Sequence, residues 1–320
     1  MFSISSIDEF NDIALEIFDF QYRNCNLYRS FVDFLKIKRR DVNNFKKIPF
    51  LPIEFFKNNR VYSSSKPHEK IFSSSGTTSS ELSNHYIADL SLYYKSFRTN
   101  FELFYGDIKN YCVLALLPSY LERKDSSLVF MVRDLINRSN EKNSGFYLDN
   151  YEKLAIKLNE LNAENRKVLL IGVSFALLDL AEQHSFNLPD IIVMETGGMK
   201  GRRKEITRNE LHRILCKCFN VSAIHSEYGM TELLSQAYSK GGGMFNTPPW
   251  MKILIRDVND PLTLLENNRT GGINIIDLAN FNSCSFIATQ DLGKLHNEGS
   301  FEVLGRFDVS DIRGCNLMIE

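Results

Sequence analysis

The sequence has 320 residues, of which 43% are apolar, and it contains 24 phenylalanines and 13 tyrosines. A chain of this length and composition can bury a large core, so we expect a globular protein of one large domain or two ordinary ones. The 38 basic and 39 acidic residues leave a net charge of −1, which excludes a general electrostatic attraction to nucleic acid or to an anionic membrane.

The amino-terminal part of the chain is predicted to be helical. Apolar residues recur near a 3.6-residue period at Ile7, Phe10, Ile13, Ile17 and Phe20. The first residues include acids where a secretory signal needs positive charge, and no later window reaches the ~18 apolar residues of a membrane span. The sequence therefore predicts a cytoplasmic protein without a membrane span.

Helical and strand patterns alternate through the middle of the chain. A helical pattern over Asp89–Tyr105 precedes a continuous apolar run, Tyr111–Leu117, which is typical of a buried strand and is ended by Pro118. The alternation then recurs as helices over Tyr151–Leu161, Ala176–Gln183 and Arg208–Phe219 that precede strands over Lys167–Gly172, Asp190–Glu195 and Val221–His225. This spacing favours an α/β domain with a largely parallel sheet.

The last quarter of the sequence has a different pattern. From Met251 onward, short β-like segments alternate with Asn, Gly and Asp turns, and no helical pattern interrupts them. We therefore predict an antiparallel β subdomain appended to the α/β core. The predicted core covers residues 1–245 and the predicted subdomain covers residues 246–308.

Three polar segments that contain glycine follow predicted strands. They are the serine-rich stretch Ser73–Ser80, the segment Glu195–Arg202 and the segment His225–Glu232. Ligands bind at the carboxyl ends of strands in open α/β sheets, where hydroxyls and backbone N–H groups donate to phosphate oxygens. Neither a Walker loop nor a G-x-G-x-x-G fingerprint is present, and the serine-rich stretch alone is equally typical of a flexible linker. Only the combination of these segments predicts a phosphate site.

Five motifs occur in a fixed order, namely SSSGTTSS (Ser73–Ser80), TGGMKGR (Thr196–Arg202), YGMTE (Tyr228–Glu232), TQDLG (Thr289–Gly293) and GRFDVSDIRGCN (Gly305–Asn316). Together they resemble the core motifs of adenylate-forming enzymes, the superfamily of acyl-CoA synthetases, peptide-synthetase adenylation domains and luciferases. Within it, LLPSYLERKDSSLVFMV (Leu116–Val132) and HSEYGMTELLSQAYS are most similar to the acyl-protein synthetase of the bacterial luminescence fatty-acid reductase system. The phenylacetate-CoA ligase type is the second resemblance.

The resemblance implies a role for each matching residue. The residues that close over the ATP phosphates are Ser74, Ser75, Gly76, Thr77 and Thr78, and those that line the adenine pocket are Gly197, Gly198 and Met199. In the YGMTE motif, Tyr228 packs on adenine and is followed by Gly229 in the nucleotide site. Thr231 contacts phosphate and Glu232 helps to hold Mg²⁺, so these two are the expected catalytic residues.

The resemblance also implies roles near the end of the sequence. Asp291 binds the ribose hydroxyls, Arg306 assists it, and Asp308 is the hinge of a small lid that would start within residues 309–320. Relatives carry in that lid a lysine that contacts the acyl phosphate, and this sequence has no candidate for it, so we expect the lid to be absent. His225 has two open interpretations, a contact in the substrate pocket or a structural histidine.

The implied activity is ATP-dependent activation of a carboxylic acid, with a fatty acid as the expected class, to an acyl-adenylate. The acyl group would then pass to a thiol of a protein or of CoA. ATP and Mg²⁺ are the implied cofactors, and an acyl reductase, a carrier protein or a separate lid protein are the implied partners. Two alternatives remain: an aryl-CoA ligase of the phenylacetate type, and a non-catalytic nucleotide- or acyl-binding scaffold subunit of an acyl reductase system.

Overall fold

The computed structural model describes residues 1–74, 82–118, 125–198, 203 and 206–307. Within these ranges the α-helices are α1 (Ile7–Asn24), α2 (Asn26–Phe34), α3 (Phe55–Asn58), α4 (Leu90–Tyr105), α5 (Ser127–Ser139), α6 (Tyr151–Ala163), α7 (Ser174–Gln183) and α8 (Arg208–Phe219). The strands are β1 (Leu51–Pro52), β2 (Lys70–Ser73), β3 (Asn84–Ile87), β4 (Cys112–Leu116), β5 (Gly145–Phe146), β6 (Val168–Val173), β7 (Ile192–Thr196), β8 (His225–Tyr228), β9 (Ala237–Ser239), β10 (Phe245–Asn246), β11 (Met251–Arg256), β12 (Thr270–Asp277), β13 (Phe286–Leu295) and β14 (Phe301–Arg306).

Among the described residues, twelve strands form one mixed sheet. Its order is β11-β12-β13-β14-β10-β9-β8-β7-β6-β4-β5, with β1 beside β13. The strands β5, β4, β6, β7 and β8 pair in parallel and form the parallel half of the sheet. Residues of β4 and β6 are buried along the whole strand, as expected where helices cover both faces of a parallel sheet. The α/β fold class predicted from the sequence is confirmed.

The antiparallel half of the sheet consists of β9 to β14, which pair antiparallel with their neighbours and continue from β8. The β-like segments predicted from Met251 onward are the strands β11 to β14. Burial in β13 alternates along much of the strand, the pattern of a strand with one face in the core. The boundary between residues 245 and 246 stays a prediction.

One predicted strand was wrong, and two helices, α3 and α5, were not predicted. The strand expected over Val221–His225 lies later, at His225–Tyr228. Asn220 ends α8 in the left-handed conformation, with φ of 53°, and the chain bends once more before it enters the sheet. The helix α5 follows Ser126, whose hydroxyl accepts a hydrogen bond from the N–H of Val129.

A buried arginine ties β12 to β13. Nη1 of Arg256 donates to the carbonyl of Ile273 at 2.8 Å and to Oδ1 of Asn274 at 2.9 Å, and Nη2 donates to the carbonyl of Thr289 at 2.5 Å. A Cβ atom on Gly272 would lie 2.6 Å from Cζ of Arg256. The glycine therefore provides the space that the guanidinium occupies.

The serine-rich loop connects two antiparallel strands. β2 and β3 form a separate two-stranded sheet in which Phe72 is opposite His85 and Ser73 is opposite Asn84. The amino-terminal helices pack elsewhere, against β13, where the ring centroids of Phe18 and Phe286 are 6.4 Å apart. In the part of the chain that is described, no helix combines the length and the apolar character needed to cross a membrane.

Candidate active site

The candidate site lies at the carboxyl ends of the parallel strands, next to the first antiparallel strands. Gly197 follows β7 with φ of 69°, a left-handed conformation that glycine adopts without strain, and its carbonyl accepts a hydrogen bond from the Ser174 hydroxyl at 2.9 Å. Gly198 is exposed, and no atom lies within 4 Å of the position of a Cβ atom there. The hydrogen bond from Ser174 fixes the start of the loop at Gly197. The backbone at Gly198 is open enough for a flat ligand to lie against it.

Tyr228, Asp291 and Arg306 meet at this edge of the sheet. The Tyr228 hydroxyl donates to Oδ2 of Asp291 at 2.7 Å, and Nε of Arg306 donates to Oδ1 of Asp291 at 3.3 Å. Asp291 is buried, whereas the Arg306 side chain is 76% exposed. The carboxylate is therefore oriented from inside the protein by Tyr228 and contacted from the solvent side by Arg306.

Strand pairing explains how Asp291 and Arg306 come together. Asp291 in β13 is directly opposite Arg306 in β14, and the N–H of Asp291 donates to the Thr289 hydroxyl at 3.1 Å. The Tyr228 ring is held by edge contacts with Phe245 and Phe301 and is 9% exposed. Burial and the neighbouring Asp291 carboxylate raise the pKa of Tyr228 well above its usual value, so its hydroxyl remains a donor.

Glu232 is a buried carboxyl group in the segment that follows β8. Burial raises the pKa of Glu232, and the charge of Asp291 adds to this shift, whereas the Ser83 side chain and the charge of Arg306 oppose it. Within the described residues Glu232 forms no salt bridge, so a cation beside it would relieve the cost of burial.

Two further buried acids, which were not predicted as site residues, lie behind the loops. Oε2 of Glu227 accepts a hydrogen bond from the Thr196 hydroxyl at 2.5 Å, which joins β8 to the residue before Gly197. Burial raises the pKa of Glu227 to about 7; the Thr196 bond opposes the shift and the charge of Glu195 adds to it. No pattern in the sequence indicated Glu227, because the strand predicted there ended at His225.

Different neighbours shift the pKa values of Glu195 and Glu227 in opposite directions. Burial alone would raise the pKa of Glu195, but a hydrogen bond with His212 and the charge of Arg208 outweigh burial, so the pKa of Glu195 lies below its usual value. Nε of Arg208 lies 3.3 Å from Oε1 of Glu195. Glu227 therefore keeps its proton to a higher pH than Glu195 does.

Gly229 is required by close packing. A Cβ atom at this position would lie 2.4 Å from Oε1 of Glu227 and 3.3 Å from Cγ of Gln236. The buried carboxyl group of Glu227 therefore leaves space only for glycine at the start of the segment that carries Thr231 and Glu232.

The base of the serine-rich loop is well defined by hydrogen bonds. The N–H of Ser74 donates to the carbonyl of Ser83 at 3.0 Å, and the N–H of Ser83 donates to the Ser74 hydroxyl at 3.0 Å. The predicted site residues that lie outside the described ranges are Ser75, Gly76, Thr77, Thr78, Met199 and Asp308. The roles predicted for them stay predictions.

His225 is placed away from the other predicted site residues. It begins β8, whereas Tyr228 ends it, and its Nδ1 lies 3.1 Å from the hydroxyl of Tyr105. Burial lowers the pKa of His225 to about 4, with the charge of Lys240 acting in the same direction. The structure thus brings Tyr228, Asp291 and Arg306 into contact, with Glu232 near enough for the charges of Asp291 and Arg306 to act on its pKa, and leaves His225 at the other end of β8.

The fit of the site to Mg²⁺ and ATP follows from its donor set. Over the described ranges, no group of three or more His, Cys, Asp or Glu side chains is arranged to hold a metal ion. Mg²⁺ usually takes one or two protein carboxylates and completes its shell with substrate phosphates and water. A single buried carboxylate, Glu232, fits that requirement, and Asp291 with Arg306 fits a polyhydroxyl group that carries negative charge.

Comparison with solved structures shows related folds. ATP-bound MatB from Rhodopseudomonas palustris matches with a TM-score of 0.56 and 16% identity over 74% of this chain and 47% of that chain. O-succinylbenzoate Coenzyme A Synthetase (MenE) from Bacillus subtilis, in complex with ATP and magnesium ion, matches with a TM-score of 0.51 and 20% identity over 74% of this chain and 49% of that chain. The luciferase-like enzyme from the Zophobas morio mealworm matches with a TM-score of 0.50 and 15% identity over 77% of this chain and 59% of that chain.

These matches rest on structure alone. No protein-family model matches the sequence, and no curated protein matches it. The chain spans about half the length of the first two structures, so the matches concern only part of those enzymes. Each of the three matches nevertheless covers about three quarters of this chain. The chain therefore has the fold of the amino-terminal domain of adenylate-forming enzymes.

Proposed function

We propose that the protein activates a carboxylic acid with ATP by forming an acyl-adenylate. The observation that carries the proposal is the Asp291 carboxylate, which Tyr228 orients at 2.7 Å and Arg306 contacts at 3.3 Å, beside the buried carboxyl group of Glu232. Two of the similar folds were solved with ATP, one of them with magnesium ion. The arrangement supports binding of a ribose, a charged phosphate chain and one divalent cation at this edge of the sheet.

Each described residue has a proposed task. Asp291 accepts hydrogen bonds from the ribose hydroxyls, and Tyr228 orients that carboxylate instead of offering a free ring face, because its ring is 9% exposed. The adenine lies over the open backbone at Gly197 and Gly198. Arg306 is close enough to add positive charge beside the ribose, and its exposure lets it move with the ligand.

The reaction needs positioning more than covalent chemistry by the protein. A carboxylate oxygen of the acid attacks the α-phosphorus, the bond to the bridging oxygen breaks, and pyrophosphate leaves with that electron pair. Mg²⁺, when bound, neutralises phosphate oxygens and so lowers the barrier. Thr231 donates to a phosphate oxygen, and Glu232 and the hydroxyls of Ser74 to Thr78 complete the site.

The class of acid and the acceptor of the acyl group are also proposed. We propose a fatty acid as the substrate and a thiol of a protein or of CoA as the acceptor, in the manner of an acyl-protein synthetase that works with an acyl reductase, a carrier protein or a separate lid protein. The resemblance of the segment 116–132 and of the residues around Tyr228 supports this choice. An aryl-CoA ligase remains the competing enzyme class, and the acid that is activated distinguishes the two.

The test is ATP–pyrophosphate exchange with Mg²⁺ and a panel of fatty, aromatic and amino acids. Wild-type protein is compared with Glu232→Gln, which keeps the size of the side chain and removes its charge, and with Glu266→Gln, which makes the same change on the exposed surface. We expect exchange with fatty acids, a loss of at least about 100-fold in Glu232→Gln, and no loss in Glu266→Gln.

The other outcomes are equally informative. Exchange that depends only on aromatic acids would replace the fatty-acid assignment by the aryl-CoA ligase. Binding of ATP without exchange for any acid would contradict the proposed activity and support the non-catalytic subunit. Exchange that survives in Glu232→Gln would remove Glu232 from the magnesium site.

A further inference from the structure

A buried histidine lies between the serine-rich hairpin and the Thr231–Glu232 segment. His85 is in β3, directly after the serine-rich loop, and it is 1% exposed. Its Nδ1 lies 2.8 Å from the carbonyl oxygen of Thr231, and its Nε2 lies 2.9 Å from Oδ1 of Asn280. Both neighbours are acceptors, so a neutral ring hydrogen-bonds to one of them at a time and an imidazolium to both.

Asn280 extends this contact to the next residue of the segment. Its Nδ2 donates to the carbonyl of Glu232 at 2.8 Å and to the carbonyl of Cys284 at 2.8 Å. These two bonds orient the amide group, because the opposite orientation would place Oδ1 against two carbonyl oxygens. His85 and Asn280 together, here called the His85–Asn280 clamp, hold the consecutive carbonyls of Thr231 and Glu232.

The clamp also connects to the base of the serine-rich loop. β3 pairs with β2, with His85 opposite Phe72, and Ser83 closes the base of the loop with Ser74. Residues on the two sides of the proposed phosphate site therefore share one set of contacts. A shift of the hairpin would move Thr231 and Glu232 with it.

We propose that His85 is a positioning residue that sets the geometry of Thr231 and Glu232 relative to the serine-rich hairpin. It does not touch the nucleotide; it acts through the backbone of the two residues that do. The expected effect on kinetics rests on the proposed function. The contacts that join His85 and Asn280 to the Thr231 and Glu232 carbonyls do not depend on it. Partners that orient metal-binding groups are worth about 10- to 100-fold in metal affinity or activity.

Two substitutions at His85 and one control substitution separate the hydrogen-bond contact from the bulk of the ring. His85→Leu removes both nitrogen contacts, and His85→Asn keeps an amide donor near the position of Nδ1, facing the Thr231 carbonyl. Phe186→Leu is the stability control, because it weakens a stacked pair with Phe219 on the distant α7–α8 side of the molecule. All three are compared with wild type under conditions in which each is folded.

In ATP–pyrophosphate exchange, His85→Leu is expected to lower kcat about 30-fold and to raise the Mg²⁺ requirement about 10-fold, with a smaller change in the KM for ATP. His85→Asn is expected to recover most of the loss, and Phe186→Leu to leave all three constants near wild type. The proposal is overturned if His85→Leu keeps the wild-type kcat and Mg²⁺ requirement, or if His85→Asn is no better than His85→Leu.

A readout without catalysis separates this inference from the proposed function. Amide hydrogen exchange of residues 229–236 is expected to accelerate about 10-fold or more in His85→Leu, to return towards wild type in His85→Asn, and not to change in Phe186→Leu. Unchanged exchange in His85→Leu contradicts the clamp even if the protein is active. Accelerated exchange in a protein that activates no acid would keep the clamp and discard the adenylation.

Discussion

The parallel and antiparallel halves of the sheet contribute to the candidate site in different ways. From the parallel half, the loop that follows β7 and the segment that follows β8 reach the site, beginning with Gly197 and Gly229. From the antiparallel half, side chains within the strands reach it, namely Asp291 in β13 and Arg306 in β14. The parallel half thus contributes residues that follow its strands, and the antiparallel half contributes side chains from within its strands.

Burial accounts for this difference. β4 and β6 are covered on both faces, so a polar side chain inside them would lose its hydration without gaining a partner. In β13, buried and partly exposed residues alternate, and the period of two places Thr289 and Asp291 on the buried face. Asp291 can stand there because Tyr228 and Arg306 are its partners, which offsets the loss of hydration.

The antiparallel half should be the less tolerant of added volume. A Cβ atom on Gly293 would lie 2.5 Å from the carbonyl oxygen of Glu302 and 2.5 Å from Cδ1 of Ile273. We expect Gly293→Ala to lower the free energy of unfolding by about 3 kcal/mol, because the backbone of β14 cannot yield as a side chain would. Urea denaturation measures the loss. Gly145→Ala in the parallel strand β5 is the control, since no atom lies within 4 Å of a Cβ atom there, and equal losses would contradict the difference between the halves.

The charge of Asp291 should matter more than its contact with Tyr228. Asp291→Asn keeps an acceptor for the Tyr228 hydroxyl but removes the negative charge offered to a ribose, so we expect ATP affinity to fall about 100-fold. Tyr228→Phe removes only the orienting bond at 2.7 Å, and a loss of about 5-fold is expected. Calorimetric titration with ATP gives both values. A larger loss in Tyr228→Phe than in Asp291→Asn would show that the Tyr228 hydroxyl, and not the charge of Asp291, makes the main contribution to ATP binding.

The buried acid of the parallel half gives a dependence of stability on pH. The pKa of Glu227 is raised to about 7 in the folded protein, so between pH 5.5 and 7.5 the folded state binds more protons than the unfolded state. Its contribution to the free energy of unfolding is therefore present at low pH and falls by about 2 kcal/mol as pH rises through this window. Denaturation of wild type and Glu227→Gln at several pH values isolates the effect, and two curves that stay parallel would refute it.

The smallest effect is expected at Arg306. Its side chain is 76% exposed, so its salt bridge with Asp291 contributes less than about 1 kcal/mol to stability. Arg306→Ala should leave the denaturation midpoint nearly unchanged and weaken ATP binding only a few fold, with the loss disappearing at high salt. A stability loss as large as that of Gly293→Ala would show that Arg306 is part of the packing of the antiparallel half.

Apolar patterning predicted the elements whose pattern is local. α8 is where the sequence placed it, and β4 and β6 were found as continuous apolar runs, because burial on both faces leaves no alternative composition. The strand β8 was misplaced, since three of its four residues, His225 to Glu227, are polar and their burial depends on partners far along the chain. Contacts with residues distant in the sequence therefore determine where β8 begins and ends.

The site residues also differ in whether the sequence alone could indicate them. Tyr228 and Asp291 are 63 residues apart, and only their place in a familiar order of motifs indicated that they belong together. His85, Asn280 and Glu227 were not predicted, because their partners are backbone carbonyls or a hydroxyl of another strand. Backbone groups are present at every residue and leave no mark in a sequence.

Arg256 and Gly272 depend on each other for their place in the sheet. The guanidinium occupies the space of a missing side chain and satisfies three carbonyl or amide oxygens in β12 and β13. A larger residue at 272 would displace it, and loss of the arginine would leave a void beside glycine together with unpaired oxygens. In descendants of this chain the two positions should therefore change together or not at all.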